Sequence, residues 1–235
     1  MNKPSYGLVG RGRVAAHVAR YLSLEDLHFL TWHRGMEISP EESLASAEVI
    51  LLLISDDSIE EFARAHPALG KGSMVHFSGS LVVDGFPSLH PLTTFGPELY
   101  DLETYRTIPF IEEEGGVGFQ ELFPTLPNPS WKLDPDLKPL YHALCVLSGN
   151  FSTLLWSKAI EGFEEQLGLP REVLKPYLEQ TGLNTLENGR RALTGSLARG
   201  DRGTVERDLS ALEGDPYAEV YRAFANLVDN REESA

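Results

Sequence analysis

The chain has 235 residues, with 20 Lys and Arg against 35 Asp and Glu, for a formal net charge of −15. That length supports one large or two modest domains, and 42% hydrophobic with 23% charged residues excludes a disordered or fibrous chain. No apolar run reaches the ~20 residues of a membrane span, the single cysteine, Cys145, excludes a disulfide framework and a Cys-built zinc site, and the acidity argues against nucleic acid, which needs a broad basic face.

The segment Met1-Asn2-Lys3-Pro4-Ser5 leads into an apolar strand without a signal-peptide pattern, so a cytoplasmic chain is expected. Ser5 to Gly10 is that strand, and Arg13 to Leu22 follows with apolar residues at helical spacing. Lys3, Arg11, Arg13 and Arg20 all precede the first acidic residue, Glu25. A basic segment heading an acidic chain suits a small phosphorylated ligand. His28 to Trp32 is a second strand. Ser39 caps a short helix with Pro40 at its first position, extending to Ala47. The run Glu48 to Ile54 has the continuous apolar character of a strand buried on both faces. Asp56 or Asp57 is expected to cap the next helix, through about His66, and Ser73 to Phe77 is another strand.

Strand and helix in alternation predict a parallel sheet covered by helices. Pro124, Pro127, Pro129 and Pro135 then mark a connector that cannot be helical. Beyond it, Asp136–Leu167, Arg171 to Gly189, Thr204 to Leu212 and Pro216 to Asp229 read as helices. Two domains are expected: residues 1–128, α/β and nucleotide-binding, and residues 129–235, all-helical.

Gly10-Arg11-Gly12-Arg13-Val14-Ala15 matches G-x-G-x-x-A between a strand and a helix. The first glycine permits the tight turn, the second lets backbone approach a pyrophosphate, and the small third residue packs helix on sheet. The helix N-terminus attracts the phosphates. A dinucleotide on Gly10, Arg11, Gly12, Arg13 and Val14 is the reading. The second strand ends Thr31-Trp32-His33-Arg34-Gly35 with no carboxylate to bind a ribose 2′-hydroxyl. A guanidinium there pairs with a 2′-phosphate, so NADP is favoured over NAD, with His33 and Arg34 at the ribose. Ser55 and Asp56 leave a buried strand at the crevice edge and border the cofactor, or Asp56 is only a helix cap. Ser78 and Gly79 follow the next strand and are expected to face the nicotinamide end.

His90, made rigid by Pro91, has the character of a general acid or base. On the long helix, Lys138, His142, Gly149 and Thr153 fall near one line at ~100° per residue, with Asn150 about 80° around from it. Either this stripe hydrogen-bonds neighbouring helices or it lines a substrate cleft. His90, His142 and Asn150 are the catalytic candidates, and no metal site is expected. Arg199 could meet a ligand anion, or an Arg199–Asp201 pair could simply pin its loop. The apolar breadth of the long helix predicts a homodimer through the helical domain.

The glycine loop, Ile54-Ser55-Asp56-Asp57-Ser58-Ile59, His76-Phe77-Ser78-Gly79, Leu89-His90-Pro91-Leu92-Thr93-Thr94-Phe95, Tyr141-His142-Ala143 to Asn150, and Leu193-Thr194-Gly195-Ser196 to Arg199-Gly200-Asp201 together resemble one family. It joins a Rossmann-like domain to a helical domain of unknown function, DUF2520. The resemblance spans almost the whole chain and implies kinship with deazaflavin-dependent NADP oxidoreductases, pyrroline-5-carboxylate reductases and 3-hydroxyisobutyrate dehydrogenases. In such relatives the helical domain completes the site; the resemblance brings no substrate with it, and the residues themselves favour an NADP-dependent oxidoreductase acting on a small carbonyl or imine compound. The Lys-x-x-x-Asn pair of the hydroxyacid dehydrogenases is absent, since Val146 stands four residues before Asn150. The alternative is therefore an NADP(H)-binding sensor or scaffold without turnover.

Overall fold

Four short apolar segments build the central sheet: β1 (Tyr6–Val9), β2 (Phe29–Trp32), β3 (Val49–Leu52) and β4 (Ser73–His76), all parallel, in the order β2-β1-β3-β4. The computed structural model describes residues 4–71 and 73–232. β1 and β3 are buried at every position because each has a strand on both sides. Side chains alternate between the two faces. Tyr6, Leu8, Leu51 and Val75 enter one core with Ala15, Tyr21 and Leu22 of α1 (Arg13–Leu24). Val9, Ile50, Leu52 and Met74 enter a second with Ile59 and Ala63 of α3 (Asp56–Ala65). Helices therefore cover both faces, as the alternation of elements required. β1 sends the chain to β2 on one side and pairs β3 on the other, so a switch point lies at their carboxyl ends.

The helix between β2 and β3, α2 (Pro40–Ser43), is shorter than the sequence suggests. Its start is as expected: the Ser39 hydroxyl accepts from the Glu42 amide at 3.2 Å and Pro40 opens the first turn. At α3, Ser55 occupies the N-cap position, while Asp56 and Asp57 lie in the first turn, where carboxylates favour the helix dipole.

A second sheet escaped the sequence reading. β5 (Leu89–Pro91) pairs antiparallel with β6 (Phe110–Glu113), which pairs parallel with β7 (Ser130–Leu133). β7 lies inside the proline-rich connector: the prolines exclude helix, but Ser130-Trp131-Lys132-Leu133 carries none and extends. One isolated bridge, His76 to Ser88, links β4 to the approach of β5. The short helices α4 (Leu102–Thr107) and α5 (Phe119–Leu122) add Tyr105, Phe119 and Leu122 to the first core.

The helical run beginning with α6 (Lys138–Cys145) passes through a π-helical segment, Val146–Phe151, into α7 (Ser152–Glu161) and a second π segment, Gly162–Gln166. The π segment widens the turn, so a 100° step does not hold between His142 and Thr153. The stripe drawn across that interval is corrected accordingly. α8 (Lys175–Asn188), α9 (Gly195–Arg199), α10 (Arg202–Ala211) and α11 (Tyr217–Glu232) complete the chain. The segment expected as a loop around Gly195 forms the short α9, closed by Gly200 in the left-handed conformation. Residues 1–155 and 156–235 form two compact units, the division falling within α7. The long helix was expected to be a core helix. In the single chain Leu140, Leu144, Leu147 and Leu154 are more than half exposed.

Candidate active site

The glycine loop is dictated by close approaches. Gly10 has φ +132°, and a Cβ there would lie 2.3 Å from the Leu53 carbonyl oxygen, so no other residue fits. Its amide donates to the Trp32 carbonyl at 2.8 Å, tying the loop to the end of β2. Gly12 is different: a Cβ there meets nothing within 4 Å. It would project into open space. No side chain caps the N-terminus of α1, whose first amide bond within the turn runs from Ala16 to the Gly12 carbonyl. The preceding N–H groups and the positive end of the helix are thus available to an anion.

These features open onto a cleft of about 670 Å³ that brings together Gly10, Arg11, Gly12, Arg13, Val14, His33, Arg34 and Ser55. The volume is that of a small-molecule site. At one end Trp32, Phe62 and His66 form an aromatic wall, with centroids 5.6 Å apart for Trp32–Phe62 and 4.5 Å for Phe62–His66. Glu41 fixes His66 through a 2.6 Å bond to Nδ1, which holds the Glu41 carboxyl below its usual range. Among the described residues of the cleft wall, Glu61 is the one acidic residue. The cradle at Gly12, three guanidiniums and an aromatic wall fit a dinucleotide's pyrophosphate, ribose and base.

Asp56 and Ser78 do not line this cleft; they bond each other. Asp56 Oδ2 accepts from the hydroxyls of Ser78 at 2.6 Å and Ser80 at 2.9 Å, and Ser78 Oγ accepts the Leu81 amide at 3.0 Å. This knot fixes the chain leaving β4 onto the start of α3.

His90 stands beyond the knot. Its Nδ1 lies 2.6 Å from the Tyr141 hydroxyl, the two rings edge to face at 5.6 Å. A Cβ on Gly79 would come within 2.9 Å of His90 Nε2, so the ring packs directly on the glycine backbone. Burial pushes His90 down to about 4, with His142 and Lys138 adding to the effect and Asp56 opposing it. His90 is neutral near pH 7. Tyr141 is raised by burial and by its bond to Cys145.

Lys138 is only 3% exposed and donates to the Leu81 carbonyl, Ser88 Oγ and, at 3.0 Å, Glu113 Oε2. Burial nevertheless lowers its pKa, against the pull of Glu113. Nearby, the His76 imidazole is fully buried and neither nitrogen has a hydrogen bond of normal geometry; burial, then Lys138, lowers it to about 4. His142 is half-buried. Asn150 is exposed and lies within the π segment, and the Thr153 hydroxyl donates to the Gly149 carbonyl at 2.9 Å. Gly149 faces Thr94, whose methyl would lie 3.4 Å from an added Cβ.

The loop after β5 is clasped by α1. Arg13 Nη1 donates to the Phe95 carbonyl at 3.3 Å, and His17 bonds the Gly96 carbonyl at 3.0 Å and the Tyr105 hydroxyl at 2.9 Å. The Tyr100 hydroxyl donates to the Thr94 carbonyl at 2.7 Å. In the second unit Arg199 is paired with Asp201 at 2.6 Å. Among the described residues no cluster of three His, Cys, Asp or Glu side chains could hold a metal, and no helix is long and apolar enough to cross a membrane.

Sequence reasoning passed over Tyr141, Glu113, Phe62 and His66 as site residues. Tyr141 directly precedes His142, and an aromatic hydroxyl on an apolar helix is a signal that a polar partner waits inside the fold.

Residues 112–228 match DUF2520, a domain of unknown function. No curated protein matches the chain. Among solved structures, a protein provisionally named an NADP oxidoreductase from Bacteroides fragilis shares 21% identity, covering 96% of this chain and 98% of that one, with a TM-score of 0.76. Protein TM1727 from Thermotoga maritima shares 22%, covering 97% and 98%, with a TM-score of 0.63. An imine reductase from Pseudomonas sp. shares 15%, covering 98% and 95%, with a TM-score of 0.65. At these identities the likeness is one of fold. The chain joins a Rossmann-like sheet to a DUF2520 domain, as its motifs suggested.

Proposed function

We propose that this DUF2520-containing chain is an NADP-dependent oxidoreductase that transfers hydride to or from a small carbonyl or imine compound. The observation that carries the reading is the open Cβ position of Gly12 in a cleft flanked by Arg11, Arg13 and Arg34. The α1 amides and Arg11 hold the pyrophosphate, and Arg34 takes the 2′-phosphate. The dinucleotide, when bound, supplies or accepts the hydride. His90 and His142 serve the proton and the substrate's polar atom, and Asn150 orients the substrate. The structural neighbours named as an NADP oxidoreductase and an imine reductase are consistent with this class.

The test is calorimetric titration of NADPH and NADH into the wild type and Arg34→Ala. A charge-assisted bond of about 1.5–3 kcal/mol predicts a loss of NADPH affinity of roughly 10- to 100-fold in the variant. Binding of neither nucleotide to the wild type overturns the reading. One observation favours the sensor alternative: Lys138 is tied to Leu81, Ser88 and Glu113 and so is not free to act on a substrate. NADPH binding with no turnover across carbonyl and imine panels would establish it.

The quaternary proposal is a homodimer through the helical part of the chain. Leu137, Leu140, Leu144, Leu147, Phe151 and Leu154 are all at least 46% exposed. Exposed apolar side chains in such number seek a cover. A monomeric mass by light scattering at low micromolar concentration would refute it.

A further inference from the structure

The two nitrogens of His90 are not equivalent. Nδ1 is engaged by Tyr141 at 2.6 Å. Nε2 has no hydrogen-bond partner among the described residues, yet it is not among the buried unpaired atoms, so it keeps contact with solvent. Gly79 leaves it so, because any side chain there would press on the ring. The groups facing His90 are Lys138, Tyr141 and His142 from the long helix and Asp56 from the start of α3; Glu113 on β6 is occupied by Lys138.

A phenol is far more acidic than a neutral imidazole N–H, and an imidazole nitrogen accepts better than a phenol oxygen. The stronger bond at 2.6 Å is therefore O–H to nitrogen. The other neighbour of the Tyr141 hydroxyl, Cys145, competes poorly, since sulfur is a weak donor and acceptor. We propose that Tyr141 donates to His90 Nδ1 and fixes the ring proton on Nε2, so that His90 is a neutral hydrogen-bond donor shaped for a carbonyl oxygen rather than for a protonated imine.

This deepens the oxidoreductase reading and rests on it for the hydride source. As a reduced nicotinamide dinucleotide delivers hydride, the new C–H bond forms at the carbonyl carbon and the C=O π pair becomes a lone pair on oxygen. Nε2–H bonds that oxygen as its charge grows. A proton from solvent completes the hydroxyl, and the dinucleotide is left oxidised. A protonated imine has no lone pair to accept from Nε2–H and loses its charge on reduction, so the donor would oppose it. Burial keeps the ring neutral across the physiological range, since protonation waits until about pH 4. Tyr141 is a positioning residue; His90 touches the substrate.

The test is a long-range proton–nitrogen correlation spectrum of the full chain labelled with [15N]histidine. The His90 signals are identified by their loss in His90→Gln. The expected wild-type pattern has a protonated Nε2 and an unprotonated Nδ1, unchanged between about pH 6 and 8. Tyr141→Phe should give mixed tautomers at His90, and Cys145→Ala should leave the wild-type pattern. A wild-type proton on Nδ1 overturns the proposal, because Nε2 would then be an acceptor suited to a protonated imine. An unchanged pattern in a folded Tyr141→Phe overturns it too. Should that variant not fold, the wild-type spectrum alone decides. Adding NADPH to the same sample separates the two readings: Nε2–H without any NADPH response refutes the oxidoreductase and leaves the tautomer assignment standing.

Discussion

Replacing Lys138 by Met keeps most of the aliphatic stem but removes the ammonium from a place where it is 3% exposed and its partner Glu113 is 12% exposed. Three acceptors lose their donor at once: the Leu81 carbonyl, Ser88 Oγ and the Glu113 carboxylate. The carboxylate then keeps the Ser88 hydroxyl at 3.2 Å as a remaining donor. Breaking one side of a buried pair costs about 3–5 kcal/mol, much of it from the stranded charge. Lys138→Met/Glu113→Gln removes that charge, and its loss should shrink to about 1–2 kcal/mol from the orphaned carbonyl and hydroxyl. Urea unfolding followed through Trp32 and Trp131, both in the first unit, measures the cycle. A single variant within about 0.5 kcal/mol of wild type would refute the view of Lys138 as a buried structural cation.

Gly10→Ala should fail to fold or lose several kcal/mol, since the new Cβ meets the Leu53 carbonyl at 2.3 Å at φ +132°. Gly12→Ala should leave the melting temperature unchanged and abolish nucleotide binding, because its Cβ enters only the cleft; equal stability losses in both would refute the division. His76 and His90 stay neutral to about pH 4 in the folded chain. Unfolded histidines take up protons near pH 6.5, so stability should fall as pH drops from about 6.5 to 4, by up to about 3 kcal/mol for each ring. Chemical unfolding across that range, compared with His76→Gln, reads it. Leu144→Glu should lower the mass seen by light scattering to that of one chain, without changing helicity; an unaltered mass would place the association elsewhere.

The glycine loop, the Ser39-Pro40 cap and the buried β3 were legible because each depends on local steric or capping chemistry, or on a run of apolar residues. The glycine loop, His33, Arg34 and Ser55 line one cleft, while Asp56 and Ser78 bond one another instead of lining it. β5, β6 and β7 were hard to see because each spans only three or four residues and β7 is half exposed, which leaves almost no periodic signal. The stripe on the long helix failed for a different reason. Its arithmetic assumed one helical pitch, and the π segment Val146–Phe151 breaks that assumption without leaving a proline or a charge to announce it. The partner of His90 could not be read from spacing at all: Tyr141 stands 51 residues away and reaches it only through tertiary packing.

The clasp of α1 on the loop after β5 has a thermodynamic consequence. Ordering a residue costs about 1–2 kcal/mol of backbone entropy, and residues 94–100 are tied down by Arg13, His17 and Tyr100. That entropy is lost when the first unit folds, and the bonds of the clasp offset it there. Loosening the clasp with His17→Ala would return part of that entropy to the native chain, so the amides of this loop would exchange with solvent sooner than those of the sheet that carries it.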